Sequence, residues 1–318
     1  MAISQYGPAA QLERYDSFSE MLDAFYTRRD RAEQQRRRSH DLTKTVRTLR
    51  DRQQRKLAAQ HEELRRTEGR EDIRHQAELV TANIYRLRRG DRSLECEDYY
   101  DPACPVVHIE LDPLKTPQQN AAALYKEYNK LKAAEQHLTV LTREGERQLD
   151  YLNSVLDELE RAETDRDLSD IRRELTETGY IRARKGGKAE RVKPQSPLKF
   201  VSDDGLEILA GRSNAQNDEL TLKLARRTDY WLHTQRVHGS HVIIRCEGEE
   251  PPPRTLEQAA AIAAYYSQAR GAGKVQVDYT MVRNVRKPSS ALPGKVIYTD
   301  HKTLLAESDG ALAERLKR

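Results

Sequence analysis

Apolar residues recur in a 4-3 rhythm along part of the first half of the chain. The repeating positions are Leu124, Tyr128, Leu131, Leu138, Leu149, Leu152, Leu156 and Leu159. Such a heptad pattern is typical of a helix that packs along another helix in a coiled coil. Glu135, Thr142 and Gly145 occupy the gaps in the rhythm, which predicts a loose middle section.

A second, weaker stripe lies upstream and supplies the partner helix. Its members are Leu42, Val46, Leu49, Leu57 and Leu64. The segment from Arg28 to Lys56 holds twelve Lys or Arg and four Asp or Glu, a net charge of +8. Because residues 28–66 and 120–161 are similar in length, we expect them to form an antiparallel pair.

The residues between the two stripes predict a small α/β insert at 67–118. "EDIRHQAELVTANIYRL" has the pattern of an amphipathic helix, which Gly90 would end. "SLECEDYY" and "PVVHIELD" alternate on either side of the turn "DPAC" and predict a β-hairpin. Thr116 is the expected cap of the next long helix.

The second half of the chain changes to a pattern of short strands and helices. "LKFV" and "LEILAG" flank an Asp-Asp-Gly turn, and "YWLHT", "HVIIRC", "KVQVDYTMV", "GKVIYT" and "KTLLAE" predict further strands. "SNAQNDELTLKLAR" and "TLEQAAAIAAYYSQAR" predict helices, the second capped by Thr255. This mixture is typical of a two-layer mixed α/β domain.

The expected fold class is therefore α plus α/β, a long antiparallel coiled-coil arm with a small α/β tip followed by the two-layer domain. The expected boundaries are a lead-in helix at 1–27, the arm at 28–166 with its tip insert at 67–118, a helix and basic linker at 167–197, the α/β domain at 198–306 and a frayed basic tail at 307–318.

Composition agrees with long solvated helices. Hydrophobic residues make up 37% and charged residues 33% of the 318 residues, and mean hydropathy is −0.89. No run of eighteen apolar residues is present, so no membrane contact is expected. Three scattered cysteines without a CxxC motif favour a reducing, cytoplasmic location over a disulfide framework or a zinc knuckle.

The stretch "DYWLHTQRVHGSHVIIR" at 229–245 carries the candidate chemistry. Ser240 and His241 suggest a hydrolase centre, but Ser240 lacks the GxSxG context of a nucleophile elbow. His233, His238 and His241 lack recognisable metal-ligand spacing, so we expect no metal and no cofactor. If 230–234 and 241–246 pair as antiparallel strands, Trp231 packs in or against the core, and His233 and His241 lie close together.

Anion binding is the other interpretation of this domain. Basic residues are interleaved with aromatic ones, an arrangement suited to phosphates and unpaired bases. The residues concerned are Arg236, Arg245, Arg270, Lys274, Arg283, Arg286, Lys287, Lys295 and Lys302, with Trp231, Tyr265, Tyr266, Tyr279 and Tyr298. Composition alone does not separate this interpretation from a solvated surface.

The ordered motifs of the second half resemble the NFACT-R domain. They are "GRSNAQNDELTLKLARRTDYWLHTQRVHGSHVIIR", "TLEQAAAIAAYYSQAR", "VQVDYTMVRNVRKP" and "PGKVIYTDHKT". "ELVTANIYRLRRG" and "IELDPLKTPQQNA" resemble the middle region of the same family, the RqcH/NEMF/FbpA-type ribosome quality control proteins. His238 stands where this family has a proline, and the family's N-terminal domain is not recognisable in the chain.

The resemblance implies a binding factor and no catalytic residue. The implied partners are the stalled large ribosomal subunit, its nascent-chain complex and tRNA, chiefly alanyl-tRNA, in support of template-free alanine tailing. A separate chain could supply the missing N-terminal domain. The alternatives are a fibronectin-binding adhesin, suggested by the older family name, and a Ser/His hydrolase.

Two groups of residues are expected to form the site. The RNA- or ribosome-binding group is Arg36, Arg37, Arg38, Arg236, Arg245, Arg286 and Lys287. The group expected to shape the loop 235–240 is Asp229, Trp231, His233, Thr234, Gly239, Ser240 and His241. Gly239 is expected to adopt a backbone angle that residues with a Cβ resist.

Overall fold

The computed structural model describes residues 17–182 and 195–318. The helices are α1 (Phe18–Arg65), α2 (Arg70–Ala82), α3 (Pro117–Arg161), α4 (Asp165–Glu177), α5 (Asn214–Glu219), α6 (Pro253–Tyr265) and α7 (Gly310–Leu316). The strands are β1 (Ser93–Glu97), β2 (Val106–Glu110), β3 (Leu198–Val201), β4 (Glu207–Ala210), β5 (Tyr230–Thr234), β6 (Val242–Ile244), β7 (Lys274–Met281), β8 (Val285–Arg286), β9 (Ile297–Tyr298) and β10 (Lys302–Glu307). The chain divides into two compact units, Arg50–Tyr151 and Met1–Leu49 with Leu152–Arg318.

In the unit Arg50–Tyr151, α1 and α3 run antiparallel. Gln53 on α1 donates from Nε2 to the carbonyl of Gly145 at 3.2 Å, and Arg70, further along the chain, forms an ion pair with the earlier α3 residue Glu135. A Cβ on Gly145 would lie 3.1 Å from Leu57 Cδ1. The glycine gap in the heptad therefore marks a close approach of α1 to α3.

The insert packs as predicted. β1 and β2 form an antiparallel hairpin, with Leu94 opposite Ile109. A small core joins this hairpin to α2 and to the start of α3; it contains Leu79, Val80, Leu94, Cys96, Ile109, Leu111 and Ala121. Thr116 accepts from the Gln119 N–H at 3.2 Å, which confirms the predicted cap.

In the other unit, the end of α3 is buried on more sides than a coiled-coil stripe requires. Leu152, Val155 and Leu159 are all at most 3% exposed, and Asp157 and Glu158 are also buried. Leu156, a predicted heptad position, is only half-buried. Burial at neighbouring positions needs contacts around the helix, so the 4-3 rhythm describes this end of α3 incompletely.

The α/β domain is built on a six-stranded sheet in the order β10-β7-β5-β6-β4-β3, and every neighbouring pair is antiparallel. The helices α6 and α7 cover one face, on which Phe200, Leu232 and Ile244 are buried. Trp231, Ile243 and Leu209 point to the other face and pack with Leu220 and Val285. Because both faces are covered, β6 is a continuous apolar run rather than an alternating one.

Several boundaries differ from those expected. The chain is helical without interruption from Phe18, so no break separates the lead-in from α1. Helix α6 begins at Pro253, and Thr255 hydrogen-bonds to Ser202 and Asp204 instead of capping it. Helix α7 is not frayed, because Asp309 caps it and Leu316 is buried. Residues 1–16 of the expected lead-in helix and the basic part of the linker at 183–194 lie outside the described residues.

Candidate nucleic-acid interface

The stretch 229–245 forms an antiparallel hairpin of β5 and β6. Trp231 on β5 pairs with Ile243 on β6, as the sequence predicts, and Trp231 is fully buried. The loop between the strands is held by the main chain: Ser240 N–H donates to Tyr266 O at 2.9 Å, and Gln268 N–H donates to His238 O at 2.8 Å. The loop 235–241 is therefore attached to the end of α6.

Asp229 fixes the start of β5. Its carboxylate is fully buried, and Oδ2 accepts from the Arg226 N–H and from Arg245 Nη1, each at 2.8 Å. Arg245 was expected to contact RNA, but its guanidinium is used to neutralise this buried charge. We therefore assign Arg245 to the scaffold and exclude it from the candidate interface.

Two histidines pack around the indole of Trp231. His233 stacks on it at a ring-centroid distance of 5.7 Å, and His241 meets it edge-on at 5.2 Å. The two imidazoles are 5.5 Å apart, which confirms their expected proximity. Burial lowers the pKa of His233 to about 4 and lowers the pKa of His241 well below its ordinary value. Both rings are therefore neutral at pH 7.

The structure gives Ser240 and His241 structural partners. Ser240 Oγ donates to Gly211 O at 2.6 Å and accepts from Arg161 Nη1 at 3.2 Å. The hydrogen bond at His241 Nδ1 is made with Thr221 Oγ1, at 2.8 Å. A serine nucleophile needs its base as hydrogen-bond partner, so these contacts do not support the hydrolase alternative.

The reason expected for Gly239 is wrong. Gly239 is not among the residues with positive φ; the left-handed residue of this loop is Arg236, at φ 62°. A Cβ on Gly239 would instead lie 2.9 Å from both Ser267 Cβ and Thr234 Oγ1. Glycine is required here because the loop and the end of α6 approach closely, with buried Thr234 beneath them.

Two residues that sequence reasoning missed, Asn217 and Asp218 on α5, hold two loops together. Asn217 accepts from the His241 N–H at 2.9 Å and donates to Gly239 O at 3.2 Å. Asp218 accepts from the Gly294 N–H at 3.2 Å and forms an ion pair with Lys287. Asn and Asp side by side within a helix are poor helix formers, and that was the available signal.

The remaining predicted cations lie at the surface. Arg236 and Arg286 are exposed, each on or beside one of the two loops that α5 holds. Arg36, Arg37 and Arg38 are exposed on α1. Arg37 forms an ion pair with Glu33 on the same helix, and Arg38 lies 3.6 Å from Asp165 at the start of α4.

Metal-binding and membrane-spanning features are absent from residues 17–182 and 195–318. This part of the chain has no group of three or more His, Cys, Asp or Glu side chains arranged to hold a metal ion. None of its helices is both long and apolar enough to cross a membrane.

Comparisons with known proteins assign both halves of the chain. Residues 2–194 match the model of the NFACT N-terminal and middle domains, and residues 197–300 match the NFACT protein RNA binding domain. The chain is 37% identical over 313 residues to the Rqc2 homolog RqcH of Bacillus subtilis, covering 97% of this chain and 54% of that protein. The corresponding Streptococcus suis protein is 37% identical over 293 residues, covering 91% and 52%.

A human protein and a solved structure extend the likeness. The human ribosome quality control complex subunit NEMF is 36% identical over 74 residues, 23% of this chain and 7% of that protein. The C-terminal part of the fibronectin/fibrinogen-binding protein from Streptococcus suis superposes with a TM-score of 0.73 at 32% identity, covering 90% of this chain and all of that one. The likeness confirms the predicted fold class, and the chain spans about half the length of the RqcH relatives. With both halves matched in order, the chain belongs to the NFACT family.

Proposed function

We propose that this chain binds the RNA of a large ribosomal subunit that carries a stalled nascent chain, as a cytoplasmic ribosome quality control factor. It binds tRNA, chiefly alanyl-tRNA, and supports template-free addition of alanine to the nascent chain. The relatives at 37% identity are named as Rqc2 homologs, and residues 197–300 match an RNA binding domain. Peptide bond formation is left to the ribosome, since Ser240 and His241 are engaged in structural hydrogen bonds.

One observation carries the proposal beyond the family likeness. The adjacent residues Asn217 and Asp218 fix the loops 235–241 and 287–294. Arg236 lies in the first loop and Arg286 directly precedes the second, and both are exposed. Loops fixed in this way hold their arginine side chains in defined positions. The planar guanidinium group of arginine can donate two parallel hydrogen bonds to a phosphate. The left-handed backbone of Arg236 is unfavourable for a residue with a Cβ, and such strain is concentrated at functional sites.

The test is binding of the full chain to purified large subunits and to alanyl-tRNA. Arg236→Glu with Arg286→Glu should weaken binding and reduce its dependence on salt, by about 0.7–0.9 in log–log slope for each phosphate that the variant no longer neutralises. Arg173→Glu, an exposed charge reversal on α4, is the control and should change little. If the double variant binds both partners as the parent does, the two loops are not the interface.

The basic face of α1 is proposed as a second contact with ribosomal RNA. Arg36, Arg37 and Arg38 are exposed and lie within a segment of net charge +8. Replacing all three by Glu should lower both the affinity for large subunits and its salt slope. An interaction that does not respond to salt would contradict this contact.

A fibronectin-binding role is the second candidate, because the solved relative is named a fibronectin/fibrinogen-binding protein. Immobilised fibronectin and large subunits can be compared as ligands of the same preparation. Saturable fibronectin binding that persists in Arg236→Glu with Arg286→Glu, together with no ribosome binding, would favour this candidate over ours.

A further inference from the structure

A cationic cavity lies apart from the two loops of the candidate interface. It has a volume of about 340 Å³, and its nine lining residues include the basic residues Arg166, Lys199, Arg212, Lys317 and Arg318. Arg166 belongs to α4, Lys199 to the edge strand β3, and Arg212 follows β4. We call this space and its nine lining residues the cationic cavity.

The last residues of the chain form one wall of the cavity. Lys317 bridges to Phe200 in antiparallel fashion, and the Arg318 N–H donates to Lys199 O at 2.9 Å. This pairing extends the edge of the sheet beyond β3. It also places the last two residues beside Lys199, so that three basic residues come together on adjacent backbone segments.

The charge balance of the cavity favours an anion. Five of the nine described lining residues are Lys or Arg, and none of the nine has an acidic side chain. Three carboxylates outside the lining pair with its cations: Asp167 is 3.5 Å from Arg212, Glu207 is 3.7 Å from Lys199, and Glu314 is 3.1 Å from Lys317. Among the described residues Arg166 has no ion-pair partner, and Nε of Arg212 is buried without a hydrogen-bond partner, so the lining can pair with a further anion.

Arg212 is held in place before any ligand arrives. Its backbone N–H donates to Gln216 Oε1 at 2.8 Å. Its guanidinium, in a side chain that is 22% exposed, forms an ion pair with buried Asp167. Asp167 is itself fixed, because Oδ2 accepts from the N–H of Thr164 at 2.9 Å. A pre-positioned guanidinium loses less side-chain freedom on binding, which favours a specific contact over a diffuse one.

The lining also indicates which anion fits. No aromatic side chain is among the nine described lining residues, so the cavity offers no surface for stacking a base. The volume of the cavity is near the lower end of the range for small-ligand sites, and several cations line it. One or two phosphoryl groups fit both features. We propose that the cationic cavity binds phosphoryl groups, supplied by an RNA backbone or by a free polyphosphate. Binding of an RNA backbone in the cavity rests on the proposed function, whereas binding of a free polyphosphate does not.

The first test uses inorganic pyrophosphate as the probe, titrated calorimetrically into the full chain at low salt. The parent should show saturable binding, and Arg166→Gln with Lys199→Gln should weaken it about tenfold or more. Both residues are exposed, so their replacement should leave the fold intact, which thermal unfolding will verify. The matched control, Arg173→Gln with Lys130→Gln, removes two exposed charges elsewhere and should change affinity by about twofold or less. Absence of saturable binding, or equal weakening in both double variants, would overturn the proposal.

The second test identifies the source of the phosphate. If the backbone of RNA enters the cavity, Arg166→Gln with Lys199→Gln also weakens RNA binding, and pyrophosphate competes with RNA. If the ligand is a free polyphosphate, pyrophosphate binding falls in this variant and RNA binding does not. Arg236→Glu with Arg286→Glu separates the two proposals, because it tests the loops and should leave pyrophosphate binding unchanged.

Discussion

Arg161 and Ser240 join the end of α3 to the hairpin loop of the α/β domain. Nη1 of Arg161 donates to Ser240 Oγ at 3.2 Å, between residues 79 positions apart, and the same oxygen donates to Gly211 O. Arg161 is itself held by an ion pair with Asp157 at 2.7 Å. The serine that suggested a nucleophile is therefore a junction between a long helix and the candidate interface.

Ser240→Ala should destabilise the protein by about 1–3 kcal/mol, because it leaves buried hydrogen-bonding groups at Gly211 and Arg161 unsatisfied. Urea unfolding measures the change in free energy. Ser169→Ala, at an exposed position on α4, is the control and should stay within about 0.5 kcal/mol of the parent. Covalent labelling of Ser240 by a fluorophosphonate would contradict the structural role.

Gly239→Ala should destabilise by about 1–3 kcal/mol, since its Cβ would lie 2.9 Å from Ser267 Cβ. Ser267→Gly removes one of the two clashing atoms, so in urea unfolding Gly239→Ala should cost less in a Ser267→Gly background than in the parent. Gly69→Ala is the control, because its Cβ would meet no atom closer than 4.0 Å. Equal effects of Gly239→Ala and Gly69→Ala would show that the close approach is not the constraint.

Arg236→Gly separates stability from binding. Glycine adopts φ 62° without a steric cost, so the variant should be as stable as the parent or more stable by about 0.5–1 kcal/mol. It also loses an exposed cation, so its affinity for large subunits should fall. Thermal unfolding and subunit co-sedimentation of one preparation provide both readings. Unchanged affinity would remove Arg236 from the interface.

Stability should decrease on acidification below about pH 6.5, the ordinary histidine pKa, because the unfolded chain then binds protons that native His233 does not. The loss continues until the pH reaches the folded pKa of His233, about 4. Between pH 7 and pH 5 this one group contributes a loss of about 2 kcal/mol.

Urea unfolding at the two pH values measures that loss. The free energy of unfolding of His233→Gln should differ less between pH 7 and pH 5 than that of the parent. The control is His40→Gln, at an exposed position on α1, which should show the same difference as the parent. An identical pH dependence in His233→Gln and the parent would rule out the neutral, half-buried imidazole of His233 as the source of the loss.

Leu138→Asp should disrupt the pairing of α3 with α1, because it places a charge at a position that is 7% exposed. We expect a loss of about 3 kcal/mol or more in the unfolding of the region 50–151. Val140→Asp makes a similar change two residues away, where the side chain is 67% exposed, and should have little effect. Circular dichroism and limited proteolysis report the outcome. Equal helicity in both variants would contradict the predicted seam.

Local patterns predicted most of the strands and the contact between His233 and His241, because pairing of β5 with β6 fixes which residues face each other. The ion pair of Arg245 with Asp229 could not be predicted, since a basic residue looks the same in sequence whether it faces solvent or a buried carboxylate. Asn217 and Asp218 were missed because their hydrogen-bond partners are distant in the chain. Val155 was missed because heptad counting assumes a single packed stripe, and the end of α3 has more than one.

The pairing of Arg318 with Lys199 has a consequence for self-association. An uncovered edge strand presents unpaired N–H and C=O groups to which a second chain can add. Lys317 and Arg318 occupy part of the β3 edge, and Leu316 anchors them by its burial. Deleting the last three residues would uncover that edge, so the shortened protein should aggregate more readily on concentration than the full chain.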